Sequence, residues 1–260
     1  MFKICSIASG SNGNCLFVQA GNEKMLFDCG LSGKEIAARM NNVGINIEDI
    51  NRVFVSHEHS DHIRGIGVVA RRHDIPIYIN EKTKKACEEM IGKVENIRYT
   101  KLDENIEIKD GMIRFLKTSH DAIKPCGFVV EYGKKKVGII TDTGIVTESI
   151  KKELGELNAI FLESNYDPTM LHNGPYPAYL KKRIDGKEGH LSNEDAGCLV
   201  LESADSGTLR KVLLSHISEN NNNPELALNT FKIIISQRKD LKDLDVEVNS
   251  RYNVGKVFDV

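Results

Sequence analysis

The stretch Val53-Phe54-Val55-Ser56-His57-Glu58-His59-Ser60-Asp61-His62 sets three of the chain's eight histidines directly behind a short apolar run. The run, over residues 52–55, reads as a buried strand: it is too short for a helix and rich in valine. A lone histidine at a strand end is more often structural than ligating. Here three imidazoles and a carboxylate crowd one loop, where mutual repulsion disfavours protonation and a bound cation relieves it. Imidazole with carboxylate, and no thiolate, suits Zn, Mn or Fe at a centre with open coordination positions. His57 and His59 alternate and point the same way. The neighbours Asp61 and His62 diverge, so one ion takes the first pair and a second ion the other.

Outward from this loop the same pattern recurs. Apolar strands end abruptly in a candidate ligand or its support: Met25-Leu26-Phe27 into Asp28, residues 115–119 into His120, 137–141 into Asp142, and 212–215 into His216. Side chains at strand ends are held by a rigid sheet yet open to a cleft, as a preorganised site requires.

The remaining elements follow from periodicity and turn chemistry. Strands are expected over 3–8, 15–20 and 24–28, the last two joined by Gly21-Asn22. A helix over 34–41 is closed by Gly44. Then come a helix near 65–73, a strand over 77–79 and a helix over 81–90. Strands follow over 97–100, 106–108, 113–118, 126–132 and 136–140, with Gly133-Lys134-Lys135 turning the final pair. The back third alternates helix 148–154, strand 159–162, helix 193–203, strand 211–214, helix 224–236 and strand 245–248. Strands in front and alternation behind predict an α/β (α+β) fold of two mixed sheets packed together with helices outside.

Bulk properties exclude several classes. The 260 residues are 40% hydrophobic, enough for a sizeable core, and no repeat or linker divides them, so a single domain over 1–260 is expected. A formal net charge of −2 gives no global case for nucleic-acid binding, so any such partner must rest on local patches. No apolar run reaches the length of a membrane span, and the N-terminus lacks a signal-peptide core, which makes a cytoplasmic protein without a membrane partner the expectation. The six cysteines stand singly, without a C-x-x-C pair, and read as small buried residues.

The loop resembles the H-x-H-x-D-H signature of the metallo-β-lactamase superfamily, and Ser119-His120, Thr141-Asp142-Thr143-Gly144 and Leu214-Ser215-His216 follow in the family's order. The resemblance covers essentially the whole chain and implies a four-layer αββα sandwich with two divalent metal ions, Mn, Zn or Fe. It implies that His57, His59 and His120 hold one ion, that Asp61, His62 and His216 hold the other, that Asp142 bridges them, and that Asp28 supports the site from behind. Two cations about 3.5–4 Å apart can share a hydroxide that attacks an electrophilic centre; Asp61 would also orient that nucleophile. His59 departs from the H-x-E-x-D of flavodiiron proteins, and Asp142 stands where true zinc β-lactamases carry Cys. Redox chemistry and antibiotic hydrolysis are therefore not expected.

The segments after Asp142 resemble the phosphodiesterase branch. Residues 159–163 put Glu163 at a strand end, and Gly189-His190-Leu191-Ser192-Asn193 opens a helix with Ser192 as N-cap. By resemblance to tRNase Z-like enzymes, His190 is the general acid for the leaving oxygen and Glu163 its orienting partner. Backbone amides at the helix start, near Ser192 and Asn193, could take a phosphate oxygen. Ser9-Gly10-Ser11-Asn12-Gly13-Asn14, with Ser11, Asn12 and Asn14, could do the same. Together with Leu162-Glu163-Ser164-Asn165, Gly174-Pro175-Tyr176-Pro177 and residues 180–184, these segments look like the YycJ/WalJ/VicX branch, described as manganese-dependent 5′→3′ DNA exonucleases.

Tyr166 departs from that branch, where a histidine is expected. Lys181, Lys182, Arg183 and Lys187 form a basic stretch before His190, read equally as a solvated helix end or as a ridge along a phosphate backbone, with Lys182 and Arg183 the contacts. Tyr176 and Tyr179 could stack on terminal bases or pack in the core. The interval from Asp142 to His216 is too short for the second domain of β-CASP nucleases, so the chain grips a DNA 5′ end or another phosphodiester with one domain, helped by a homodimer partner. Two alternatives remain open: a phosphodiesterase on small or cyclic nucleotides, and a metal-binding regulatory protein without catalysis.

Overall fold

Gly21, at a φ of 62°, supplies the left-handed turn that folds two neighbouring strands into a hairpin, with Ala20 paired to Glu23 and Leu16 to Phe27. The computed structural model describes all 260 residues. Its first part runs β1 (Phe2–Ala8), β2 (Cys15–Ala20), β3 (Glu23–Phe27), α1 (Gly33–Asn41), β4 (Arg52–Phe54), α2 (Ser60–Ile63), α3 (Ile66–His73), β5 (Ile77–Asn80), α4 (Glu81–Ala86), α5 (Glu88–Ile91) and β6 (Ile97–Thr100). Next come β7 (Ile106–Ile108), β8 (Gly111–Lys117), β9 (Cys126–Tyr132), β10 (Lys135–Ile140), α6 (Glu148–Leu154), β11 (Ala159–Glu163), α7 (Pro168–Asn173) and α8 (Ala178–Ile184). The chain ends with α9 (Asn193–Ser203), β12 (Lys211–Ser215), α10 (Pro224–Ile235), β13 (Asp245–Val248) and β14 (Phe258–Asp259).

The chain divides into two compact units, one of residues 1–115, 122–126 and 250–260, the other of residues 116–121 and 127–249. In the first, the strand order is β14-β1-β2-β3-β4-β5-β6. The β1–β2 and β2–β3 pairs are antiparallel, and β3 to β6 are parallel. Ile4, Leu26, Ile36, Ile66 and Ile77 are among its fully buried side chains, and α1 and α3 turn their apolar faces inward. In the second unit, β13-β12-β11-β10-β9 repeat the mixed plan: β9 and β10 are antiparallel, β10 to β13 parallel. Every residue of β11 and β12 is buried, as expected for parallel strands covered on both faces. Ile150, Leu154, Ala196, Val200, Ala227 and Phe231 from α6, α9 and α10 share a core with Ile160, Leu162, Val212 and Leu214 from the strands.

Most expected elements appear within one or two residues, with informative differences. The helix expected over 81–90 is broken at Cys87 into α4 and α5. Two short helices, α2 and α7, stand where only loops were expected, and α8 supplies the helix end that was one reading of the basic stretch. No helix is long and apolar enough to cross a membrane.

Candidate metal centre

Both units place their polar residues at the carboxyl ends of parallel strands, where α/β sheets present binding sites. β3 leads to Asp28, β10 leads to Asp142, β11 ends in Glu163 and β12 leads to His216. Asp28, Asp142 and His216 all have positive φ, 62°, 58° and 58°. Non-glycine residues avoid this region, and strain held at three strand ends re-aims each side chain out of the pleat.

In the first unit the histidine loop is braced from behind. The Asp28 carboxylate is 5% exposed and accepts three hydrogen bonds: Ser56 N at 2.8 Å, Ser56 Oγ at 2.7 Å and His62 Nδ1 at 2.7 Å. Ser56 Oγ in turn lies 2.9 Å from His57 Nδ1, so Asp28 orients His62 directly and His57 through the hydroxyl. With Nδ1–H of His62 spent on Asp28, its Nε2 carries the lone pair, the tautomer a metal ligand needs. The rings of His57 and His62 are 4.1 Å apart between centroids, and those of His57 and His59 are 4.7 Å apart.

Asp61 and His62 do not diverge as the sequence reading expected. They lie within the single turn α2, and Asp61 Oδ2 lies 3.5 Å from His62 Nε2. Helical geometry swings adjacent side chains by about 100° rather than the 180° of a strand, so the two converge. Asn14, expected to face a phosphate, is instead 5% exposed, and its Nδ2 donates to Asp61 Oδ2 at 3.2 Å and lies 3.1 Å from His62 Nε2. Its Oδ1 accepts from Gly10 N, which settles the amide's orientation. Gly30 is required where these loops meet: a Cβ there would stand 1.6 Å from the Asp61 carbonyl oxygen.

In the second unit Asp142, Glu163, His190 and His216 bring one ligand atom each within 4.8 Å of one another. Glu163 is fully buried, and its two oxygens accept from His190 Nδ1 at 2.7 Å, His216 Nδ1 at 3.0 Å, Thr143 N at 2.9 Å and Leu191 N at 3.3 Å. Burial pushes its carboxyl up, but the charge of His190 and the hydrogen bonds from His190 and His216 outweigh that and hold it below the usual carboxylate value. Four donors make Glu163 a hub that fixes two imidazoles. His120 donates Nδ1–H to the Gly189 carbonyl at 2.9 Å, leaving Nε2 as its ligating atom, and burial lowers its pKa despite the nearby Asp142. Gly144 allows the close packing behind this cluster, since a Cβ there would lie 2.3 Å from the Gly186 carbonyl.

A divalent ion suits these donors. Two buried carboxylates, Asp142 and Glu163, share one cluster with His190 and His216, an arrangement that a cation compensates and that no thiolate biases toward a soft metal.

The other expected contacts fare unevenly. Ser11 and Asn12 are exposed at the turn after β1. Ser192 and Asn193 are buried and engaged internally, which corrects their assignment to phosphate. Ser192 forms a capping box with Asp195, while the Asn193 side chain bonds Ser164 and Asn222. The amides of Leu191, Ser192, Asn193 and Asp195 are likewise taken inside the protein. Arg183 spends its fork on Asp121, with Nη2 to Oδ1 at 3.0 Å, so it braces the residue beside His120. Lys182 is exposed beside it. Tyr176 accepts a hydrogen bond from Asn220, and Tyr179 is exposed.

Sequence reasoning missed Ser56, whose hydroxyl at a strand end was its only signal. It also missed Asn222, which donates to the carbonyls of Ser164 and Asn165 and to Asn193 Oδ1. A run of asparagines from 220 to 223 looks like a plain loop until it is folded.

Comparison with known proteins follows the same lines. A family model described as the β-lactamase superfamily domain matches residues 23–217. A relative from Bacillus anthracis, named exodeoxyribonuclease YycJ, is 37% identical over 98% of this chain and 92% of its own length. Exodeoxyribonuclease WalJ of Streptococcus pneumoniae is 35% identical over 87% of this chain and 85% of its own. Among solved structures, the metallo-β-lactamase fold protein YhfI of Bacillus subtilis superposes with a TM-score of 0.75 at 18% identity, covering 99% of this chain and 98% of its own. Human tRNase Z, short form, gives 0.67 at 15% identity over 97% and 98%. The structural likenesses establish the fold.

Proposed function

The chain belongs to the β-lactamase superfamily, and from that membership we propose that it is a divalent-metal-dependent nuclease, a 5′→3′ DNA exonuclease acting as one domain over residues 1–260. One observation carries the reading beyond the family: Glu163, wholly buried, holds His190 Nδ1 at 2.7 Å and leaves Nε2 to exchange a proton. Such a pair suits phosphodiester cleavage, in which an alkoxide must be protonated as it departs.

His57, His59 and His120 would hold one ion, Asp61, His62 and His216 would hold a second, and Asp142 would contribute to both. Bound divalent ions supply the activation of water and the neutralisation of phosphoryl charge. Mn, Zn and Fe all suit the donor set.

The chain's own residues do the rest. Asp28 and Ser56 fix the histidine loop, Asn14 holds the Asp61 carboxylate, and Asp61 orients the attacking oxygen. His190 Nε2–H gives its proton to the leaving oxygen, and Glu163, holding Nδ1, keeps the ring aimed for that transfer. Ser11, Asn12 and Lys182 are exposed and meet the phosphate backbone. A homodimer would add to the grip of a single domain; a mass of 29.0 kDa during turnover would exclude it.

Polarity is tested with a linear duplex labelled separately at each end and a closed circular duplex. Early release of the 5′ label, late release of the 3′ label and an intact circle are expected. Release of the 3′ label first would reverse the polarity, and nicking of the circle would make the enzyme an endonuclease.

A further inference from the structure

We infer that Tyr166 is a positioning residue for His190, tying both ends of the segment that carries the imidazole; this rests on the nuclease reading and on His190 as proton donor. Tyr166 is 3% exposed and follows β11, three residues after Glu163. Its hydroxyl donates to Asp185 Oδ1 at 2.6 Å, where α8 ends. Its carbonyl accepts from Asn193 N at 2.9 Å, and its backbone pairs with Ser192. His190 lies between these two attachments. The turn before it is closed by His190 N donating to the Ile184 carbonyl at 2.9 Å and Gly189 N to Gly186 at 2.8 Å.

The same strand end thus presents Glu163 to the His190 ring and Tyr166 to Asp185 and Asn193, which flank His190 in the chain. Orientation of a general acid needs both, since a ring held by one hydrogen bond still swings with its backbone.

Tyrosine suits this task chemically. Its ring packs with Leu171 and Ile184, while burial and the Asp185 hydrogen bond both raise the phenol's pKa, so it remains a donor at every working pH. The sequence departure at 166 is therefore an attachment point and does not aim a ligand at the metals.

The step at stake is defined: His190 Nε2–H protonates the bridging oxygen as its bond to phosphorus breaks, and the neutral imidazole then regains a proton from water. Only a poor leaving group needs that proton. The test compares single-turnover cleavage of DNA with that of the same DNA carrying sulfur as the scissile bridging atom, because a thiolate departs unprotonated. Tyr166→Phe keeps the ring packing and removes only the hydroxyl. It should slow cleavage of the oxygen substrate about tenfold, part of the total general-acid contribution, and leave the sulfur substrate within about twofold. Asp185→Ala, which removes the acceptor, should behave alike, and His190→Ala should show a wider gap.

Equal slowing of both substrates by Tyr166→Phe, or none of either, overturns the inference when His190→Ala still discriminates. If His190→Ala slows both equally, the proton-donor reading itself falls, and the inference with it.

Discussion

Glu163 collects four hydrogen bonds on two buried oxygens because the residues after β10 and β12 and the segment before α9 all deliver a donor to it. Replacing His190 by Ala therefore removes one spoke and not the hub. It should slow DNA cleavage by about 10²–10⁴-fold while metal content measured by elemental analysis stays as in wild type. Asp142→Ala should lose metal and activity together, and full occupancy in that variant would refute its assignment to both ions. Asp28 makes the counterpart test in the first unit. Asp28→Ala strands Ser56 N, Ser56 Oγ and His62 Nδ1, and loss of such a support typically costs about 10–100-fold in metal affinity, to be read by titration of the metal-stripped protein.

At the scale of elements, α9 separates a structural role from a substrate role. Ser192 is its N-cap and shares a capping box with Asp195, so Ser192→Ala should lower stability by about 1 kcal/mol in a denaturant melt with cleavage unchanged. A large fall in turnover at equal stability would return Ser192 to the substrate. The strands were legible because their signal is local: apolar runs such as 159–162 and 211–214 can only be buried, and each ends in the residue that the site needs. The short helices were not legible. α2 has four residues and α7 six, too few to show a period of 3.6. That omission misplaced Asp61 relative to His62. The candidate ligands were readable from type and spacing, whereas the supports Ser56, Asn222 and the true role of Asn14 were not. Those roles depend on which loops meet, and loop contacts such as Asn14 N to the Asp61 carbonyl leave no periodic trace.

For the whole molecule, a formal charge of −2 means that DNA must be attracted by local cations and by the bound ions. Affinity should fall with salt, and Lys182→Ala should reduce the slope of log K against log salt by about one unit or less. Chelation should lower the melting temperature and divalent metal should restore it, since an ion that binds only the folded state stabilises by mass action. The thiols give an independent check of the core. Five cysteines are buried, with Cys5 and Cys87 pushed up to about 12 and about 11 chiefly by burial, and only Cys198 is exposed. A thiol reagent should titrate one cysteine in the native protein and six after unfolding.

Removal of nucleotides from DNA by a divalent-metal centre built on these strand ends is the activity on which the proposed mechanism stands or falls. Its most direct test is cleavage of a 5′-phosphorylated duplex, labelled at its 3′ end, by metal-stripped protein resupplied with Mn²⁺ or Zn²⁺, with Asp61→Ala run beside it. A ladder of shortened labelled strands is expected from the wild type only, and only with metal. Intact DNA with every ion, or an equal ladder from Asp61→Ala, would contradict it.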